Sequence, residues 1–206
     1  MRGRTDVLEP AILGLLHESP MHGYELRKRL NLVLGSFRAL SYGSLYPCLK
    51  ALVDKHWIQG TESIVAPHAV ASKRAKIVYQ LTADGKERFA DLLSEAGPTA
   101  WEDENFGVHF AFFGQTDAEV RLRILEGRRS RLEERAYGVR ASMSRTRERL
   151  DSYTEELARH GLESAEREVR WIEELIASER DRGSTSTRTN TSVSTSRMNE
   201  NKGADA

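Results

Sequence analysis

A chain of 206 residues with 31 Lys and Arg against 31 Asp and Glu carries no formal net charge. At roughly 150 residues per domain, the length allows one or two domains. A charged fraction of 30% and a mean hydropathy of −0.55 fit a chain that folds in water, and no apolar run approaches the ~20 residues of a membrane-spanning helix. Asp6 and Glu9 fall where a signal peptide would be apolar, so a cytoplasmic location is expected. The single cysteine, Cys48, excludes an internal disulfide and a cysteine-rich zinc site. Neutral charge also argues against a nucleic-acid partner, because such proteins usually carry a basic excess.

The neutral total is a sum over unlike parts. Residues 1–96 hold 13 basic and 10 acidic side chains, residues 97–183 hold 15 and 19, and residues 184–206 hold 3 and 2. Within the first stretch, residues 38–88 carry eight basic and four acidic groups, so positive charge is concentrated there. Every basic residue of 97–183 is arginine and most of the acids are glutamate. Those residues favour helix, and their alternation suits a long solvated one. The Ser/Thr/Asn-rich stretch 184–206 has almost no apolar side chain and is expected to be disordered.

In chain order, Leu8 to Leu16 reads as a helix with Pro10 in its first turn and Ile12, Leu15 and Leu16 as its buried stripe. After Ser19-Pro20, Gly23 to Leu30 resumes with Leu26, Leu30 and Val33 on one face, and Gly35 ends it. A third helix lies within Ser41 to His56, with Leu45, Leu49 and Leu52 or Val53 inward. Either Ser41 or Ser44 can cap it, and Pro47 favours Ser44, because its missing N–H is then harmless in the first turn. Trp57 to Val65 and Lys76 to Leu81 are strand-like, joined by a polar loop, and Thr82 caps a further helix. Three helices and a basic-tipped hairpin make a winged helix-turn-helix arrangement over 1–96.

The motifs sharpen this. His22-Gly-Tyr-Glu-Leu26, Ser41-Tyr-Gly-Ser-Leu-Tyr-Pro-Cys-Leu-Lys50 and Val78-Tyr-Gln-Leu-Thr-Ala-Asp-Gly85, preceded by Ile12-Leu-Gly-Leu-Leu16, resemble the PadR family of bacterial transcriptional regulators. The long helical C-terminal region resembles the larger, virulence-activator-alpha-like subfamily. The resemblance implies a homodimer on an inverted-repeat operator, often of the ATGT…ACAT kind. It also implies that Tyr46 and Lys50 face DNA and that Tyr24 approaches a phosphate.

The chemistry of the third helix agrees. A recognition helix in the major groove needs short polar groups near its N-terminus and a cation to set register on phosphate. Ser41, Tyr42, Ser44, Tyr46 and Lys50 supply them. Lys73, Arg74 and Lys76 on the hairpin are candidates for flanking phosphates or, for Arg74, a minor groove. The plain alternatives are core packing for the two tyrosines and solvated surface for the others. Cys48 is either a small buried filler or a redox-sensitive group inside the reading helix.

Thr116-Asp-Ala-Glu119 has a capping-box pattern, so a helix is expected from there to His160-Gly161. Its seam runs through Leu122, Leu125, Leu132, Val139, Met143, Leu150, Tyr153 and Leu157 at heptad spacing, and a second helix, Glu163 to Asp181, carries Val169, Ile172 and Ile176. The first helix is about twice as long as the second, so a second copy of the chain is the expected partner for part of this coiled-coil seam. Between the two regions, Trp101, Phe106, Phe110 and Phe113 form a candidate pocket for a small aromatic or apolar effector, with aromatic core as the alternative.

No metal-ligand spacing, phosphate-binding loop or nucleophile motif occurs, so neither an enzyme, a cofactor nor a metal is expected. The expected organisation is a DNA-binding domain at 1–96, a helical dimerisation and effector domain at 97–183, and a tail at 184–206. The expected function is a homodimeric repressor released by a small effector. The alternative is a winged-helix protein-interaction adaptor without sequence-specific DNA binding.

Overall fold

The computed structural model describes residues 5–34, 42–63, 76–103, 105–146 and 151–199. The chain divides into two compact units, Met1–Val120 and Arg121–Ala206.

The first unit opens with helix α1, Thr5–Glu18, a two-residue strand β1, Met21–His22, and helix α2, Gly23–Leu34. Helix α3, Tyr42–Asp54, is followed by strands β2, Ile58–Ser63, and β3, Lys76–Leu81. Helix α4 spans Ala83–Ser94. The strands form one antiparallel sheet in the order β1-β3-β2, with Met21 opposite Tyr79 and Ile58 opposite Leu81. This is a winged helix-turn-helix, as the sequence predicts, with β1 as an unpredicted third strand.

The core follows the predicted stripes: Ile12, Leu15 and Leu16 of α1, Leu26 and Leu30 of α2, and Leu45, Leu49 and Leu52 of α3 are all buried. Two helix starts differ from expectation. Helix α1 begins at Thr5, so Pro10 lies beyond the first turn. Helix α3 begins at Tyr42, which places Ser44 inside it rather than at its cap and puts Pro47 in the helix interior. There Pro47 gives up one backbone hydrogen bond, leaving the Gly43 carbonyl without its usual donor. The burial of Leu45, Cys48, Leu49 and Leu52 holds the helix together across that gap.

The exit from α3 is fixed by a helix-ending turn. His56 takes a left-handed φ of 60°, while the amides of Trp57 and His56 donate to Leu52 and Val53 carbonyls at 3.0 and 2.9 Å. The predicted Thr82 cap is present: its Oγ1 accepts from the Gly85 amide at 3.0 Å and donates to the His56 carbonyl at 2.6 Å. Gly85 is required, because a Cβ there would lie 1.9 Å from the Trp57 carbonyl oxygen. One short motif thus joins the end of α3, the start of the wing and α4.

The aromatic stretch is part of this same unit. Helix α5, Pro98–Trp101, and helix α6, Phe106–Ala111, lead through a single 3-10 turn to helix α7, Ala118–Thr146. Val108 and Phe112 enter the winged-helix core. The division of the chain therefore falls after Val120 rather than at residue 96.

The second unit is built from most of α7 and from helix α8, Ser152–Asn199. The expected single helix from 118 through 160 is two helices. Asp151 caps the second: its Oδ1 accepts from the Tyr153 and Thr154 amides at 3.0 and 3.1 Å, and its Oδ2 accepts from Thr154 Oγ1 at 2.6 Å. Those bonds to the carboxylate hold the Asp151 pKa below its ordinary value, the Thr154 hydroxyl foremost. Gly161 lies within α8, and no described glycine has a positive φ, so it is not a left-handed cap. Residues 184–199, expected to be disordered, continue α8.

The two helices pair through Leu125, Leu132 and Ala136 on one side and Ala165, Ile172 and Ile176 on the other, all buried. Charge reinforces the pairing. Helix α7 carries eight arginines and four glutamates, whereas 152–183 carries five arginines and nine acids. Arg121 bonds Glu179 at 2.7 Å, Arg128 bonds Glu168 at 2.6 Å, Arg180 bonds Glu126 at 2.7 Å, and Arg140 bonds Glu166.

Candidate DNA interface

Helix α3 shows two faces. Leu45, Cys48, Leu49 and Leu52 point into the core, while Tyr46 and Lys50, one turn apart, are exposed. Tyr46 is 56% exposed and Tyr24, in the first turn of α2, is 73% exposed. A buried apolar ring of this size would be far less accessible, so the core alternative fails for both. Ser44 is half-buried. Ser41 lies outside the described residues, as do Lys73 and Arg74, and Lys76 opens β3. Tyr42 is the first residue of α3.

The structure adds Tyr79, a residue of strand β3. A Cβ placed on Gly23 would lie 3.5 Å from the Tyr79 ring and 3.6 Å from the Tyr46 ring. Both rings therefore come up to the first turn of α2, next to Tyr24 in sequence. Burial, and then the neighbouring Tyr46, push the Tyr79 phenol above its ordinary pKa, so it stays a hydroxyl donor at neutral pH. His22 Nδ1 lies 3.3 Å from the Ile77 carbonyl and joins the same turn to the wing strand. No local signal marks Tyr79, because its place follows from the pairing of β1 with β3.

The cations sort into two kinds. Lys55 and Arg88 share Glu9, at 3.0 and 3.3 Å. They also flank the Trp57 ring at 4.2 and 5.3 Å from its centroid. Both count toward the basic stretch 38–88, yet both brace the fold. Arg29 is paired with Glu25 and Glu18 at 3.1 and 3.5 Å. Lys28, Lys50 and Lys86 are exposed and carry no ion pair among the described residues. Of these, Lys50 shares the outward face of α3 with Tyr46.

Cys48 is buried on the inner face, and burial foremost, then Glu9, pushes its thiol up to about 11 against the opposing pull of Lys55. A thiol that stays protonated is a poor nucleophile, which favours the filler reading. Among the described residues no group of His, Cys, Asp and Glu is placed to hold a metal ion. No described helix is long and apolar enough to cross a membrane.

The candidate effector residues form a ladder on α6 and its exit. Phe106 stacks on Phe110 at 5.8 Å between centroids, and Phe110 meets Phe113 at 5.1 Å. Phe106 is buried, whereas Trp101, Phe110 and Phe113 are partly accessible. Burial holds the His109 imidazole below its ordinary pKa, favouring the neutral ring. Of the candidate dimerisation residues, Leu125, Leu132, Ile172 and Ile176 are buried within the single chain. Leu122, Val139, Met143 and Val169 are half-buried, and Leu157 is 71% exposed. Leu150 lies outside the described residues. Val139, Met143 and Leu157 line a groove of about 540 Å³.

An outward helix face bearing a phenol and an ammonium without an ion pair among the described residues, beside a wing, defines the class: a winged helix-turn-helix of the DNA-binding kind. Residues 12–91 match the family described as Transcriptional regulator PadR-like family, and through this domain the chain belongs to it. Over 92 residues the chain is 34% identical to the negative transcriptional regulator PadR of Bacillus subtilis strain 168, covering 45% of this chain and 48% of that protein. The chain thus spans about half the length of that relative. Among solved structures, Bacillus subtilis PadR in complex with operator DNA is 23% identical, over 84% of this chain and 99% of that one, with a TM-score of 0.41. The same protein in complex with p-coumaric acid gives 23%, 84%, 99% and 0.38. A PadR-like transcriptional regulator from Bacillus cereus strain ATCC 14579 is 31% identical over 42% of this chain and 77% of that one, with a TM-score of 0.34.

Proposed function

We propose that this chain is a homodimeric transcriptional repressor that binds an inverted-repeat DNA operator and is released by a small aromatic or apolar effector. The observation that carries the DNA reading is the split of α3, with leucines anchoring one face and exposed Tyr46 and Lys50 on the other. Lys50 sets register on a phosphate, Tyr24 and Tyr46 offer hydroxyls to backbone or base edges, and Lys73, Arg74 and Lys76 of the wing reach flanking phosphates. Self-association is supported by the large apolar groups that the α7–α8 pair leaves exposed, Tyr137, Tyr153 and Leu157. A two-fold dimer then matches an inverted repeat. The effector reading rests on the partly accessible Trp101, Phe110 and Phe113, on which an aromatic ring can stack. The acidic excess of 97–183 limits nonspecific attraction, so binding depends on sequence readout.

The test is a gel shift with DNA from immediately upstream of the chain's own gene and with a scrambled duplex, at two salt concentrations. The proposal expects preference for the upstream DNA that persists at the higher salt. Equal binding to both duplexes, or none at low salt, would instead make the winged helix a protein-interaction adaptor.

A further inference from the structure

The Ile12-Leu-Gly-Leu-Leu16 run holds one residue without an assigned role. A glycine inside a helix weakens it relative to alanine, so Gly14 requires a packing reason. A Cβ built on Gly14 would lie 2.3, 2.4 and 2.7 Å from Cζ, Cε1 and Cε2 of Phe112. The Phe112 ring is therefore seated directly on the backbone of α1. It is buried and meets Phe89 edge-on at 5.5 Å, and Phe89 in turn meets His17 at 5.4 Å. A ring so enclosed has no free direction in which to swing from an added methyl group. The chain just after Phe112 is held as well. The Phe112 carbonyl accepts from the Gln115 amide at 2.9 Å and from Thr116 Oγ1 at 3.0 Å, two residues before α7 begins.

We propose that Gly14 and Phe112 form a latch that fastens the segment 106–117, and with it the start of α7, to helix α1, and that operator affinity of the full chain depends on the latch being closed. The latch itself rests on geometry alone; its link to DNA rests on the regulator reading. A helix start that is held fixes where the first turn of α7 lies on its own winged helix, and an inverted repeat is sensitive to that placement.

The experiment is a mutant cycle in the full chain, with Gly14→Ala and Phe112→Ala separately and together, followed by thermal melts and amide hydrogen exchange. Gly14→Ala is expected to lower Tm in the native background and to raise it in the Phe112→Ala background, where only the better helix propensity of alanine remains. It is also expected to strip exchange protection from 106–117 while leaving α3 protected. The same sign in both backgrounds, or unchanged protection, overturns the latch. Should Phe112→Ala fail to fold, Phe112→Leu replaces it, and the Tm loss caused by Gly14→Ala must then shrink. For the link to DNA, Gly14→Ala is expected to weaken binding to the two-site operator about tenfold and to leave a single half-site nearly unchanged. Equal loss on both overturns the link. A native chain that binds no DNA removes the regulator reading and the link together, while the reversal of sign still decides the latch.

Discussion

The two units hold themselves together by different means. The winged helix buries a continuous set of large apolar side chains, from Ile12 and Leu13 through Leu26, Leu49 and Phe89, and its ion pairs lie at the margin. The helical pair has a thin apolar stripe in which Ala136 and Ala165 occupy seam positions, and it buries Arg128 and Glu179 beside Ile124, Ile172 and Ile176. A core of close-packed leucines fixes its geometry by shape. A stripe too thin for that relies on charged partners to hold the register of one helix against the other. Arg121 with Glu179 and Arg128 with Glu168 serve that purpose. The difference shows where a neutral chain keeps its acids: residues 97–183 hold 19 of the 31, and among them Glu126, Glu166, Glu168 and Glu179 tie the two helices of the arm together.

That contrast can be broken by substitution. The largest effect is expected from Leu49→Ala, since Leu49 is 1% exposed between α3 and the rest of the core. It should cost about 2–5 kcal/mol and abolish DNA binding with the fold, as thermal melts and gel shifts would record. In the arm, Glu179→Gln removes the negative charge that pairs with Arg121 and Arg182 and one of the two oxygens they bond. A loss of about 2–4 kcal/mol is expected in chemical denaturation, because the Arg121 guanidinium is left partly buried without its carboxylate. Replacing Arg121 and Glu179 together with Met and Leu should recover most of it. If the double replacement is as damaging as the single one, the pair stabilises rather than sets register.

A smaller effect is expected from pH. The Cys48 thiol is pushed up from 9.0 to about 11, chiefly by burial. The folded state therefore favours the neutral thiol, and the stability this provides is complete below pH 9 and is lost as pH rises from 9 toward 11. Stability measured against Cys48→Ala over that range should differ by about 2 kcal/mol. Parallel curves would mean that Cys48 is less enclosed than its place on the inner face of α3 requires.

Much of the first unit was legible in the sequence because its signals are local. The leucine spacing of α1 to α3, the β-branched run of β3 and the Thr82 cap each depend on neighbours within a few residues. What escaped depends on distant partners. Strand β1 is two residues long and exists only because Tyr79 and Val78 lie opposite. Lys55 and Arg88 count toward the basic excess of 38–88 until Glu9, far away in sequence, claims both. In the second unit, heptad spacing continued through Leu150, Tyr153 and Leu157 as though one helix ran on, because periodicity is blind to a cap. Asp151 provides that cap, and Tyr153 and Leu157 fall on an exposed face instead.

The outward face of α3 is the central claim, and it separates two lysines five residues apart. Lys50 is exposed and unpaired among the described residues, whereas Lys55 is held by Glu9 against Trp57. The most direct measurement is operator affinity across a salt titration for Lys50→Ala and Lys55→Ala beside the native chain. Lys50→Ala should reduce the slope of log affinity against log salt by about 0.9, the loss of one phosphate contact, with Tm unchanged. Lys55→Ala should lower Tm and leave the slope as it was. A slope that is indifferent to Lys50, or that falls with Lys55 instead, would contradict the assignment of this face to DNA.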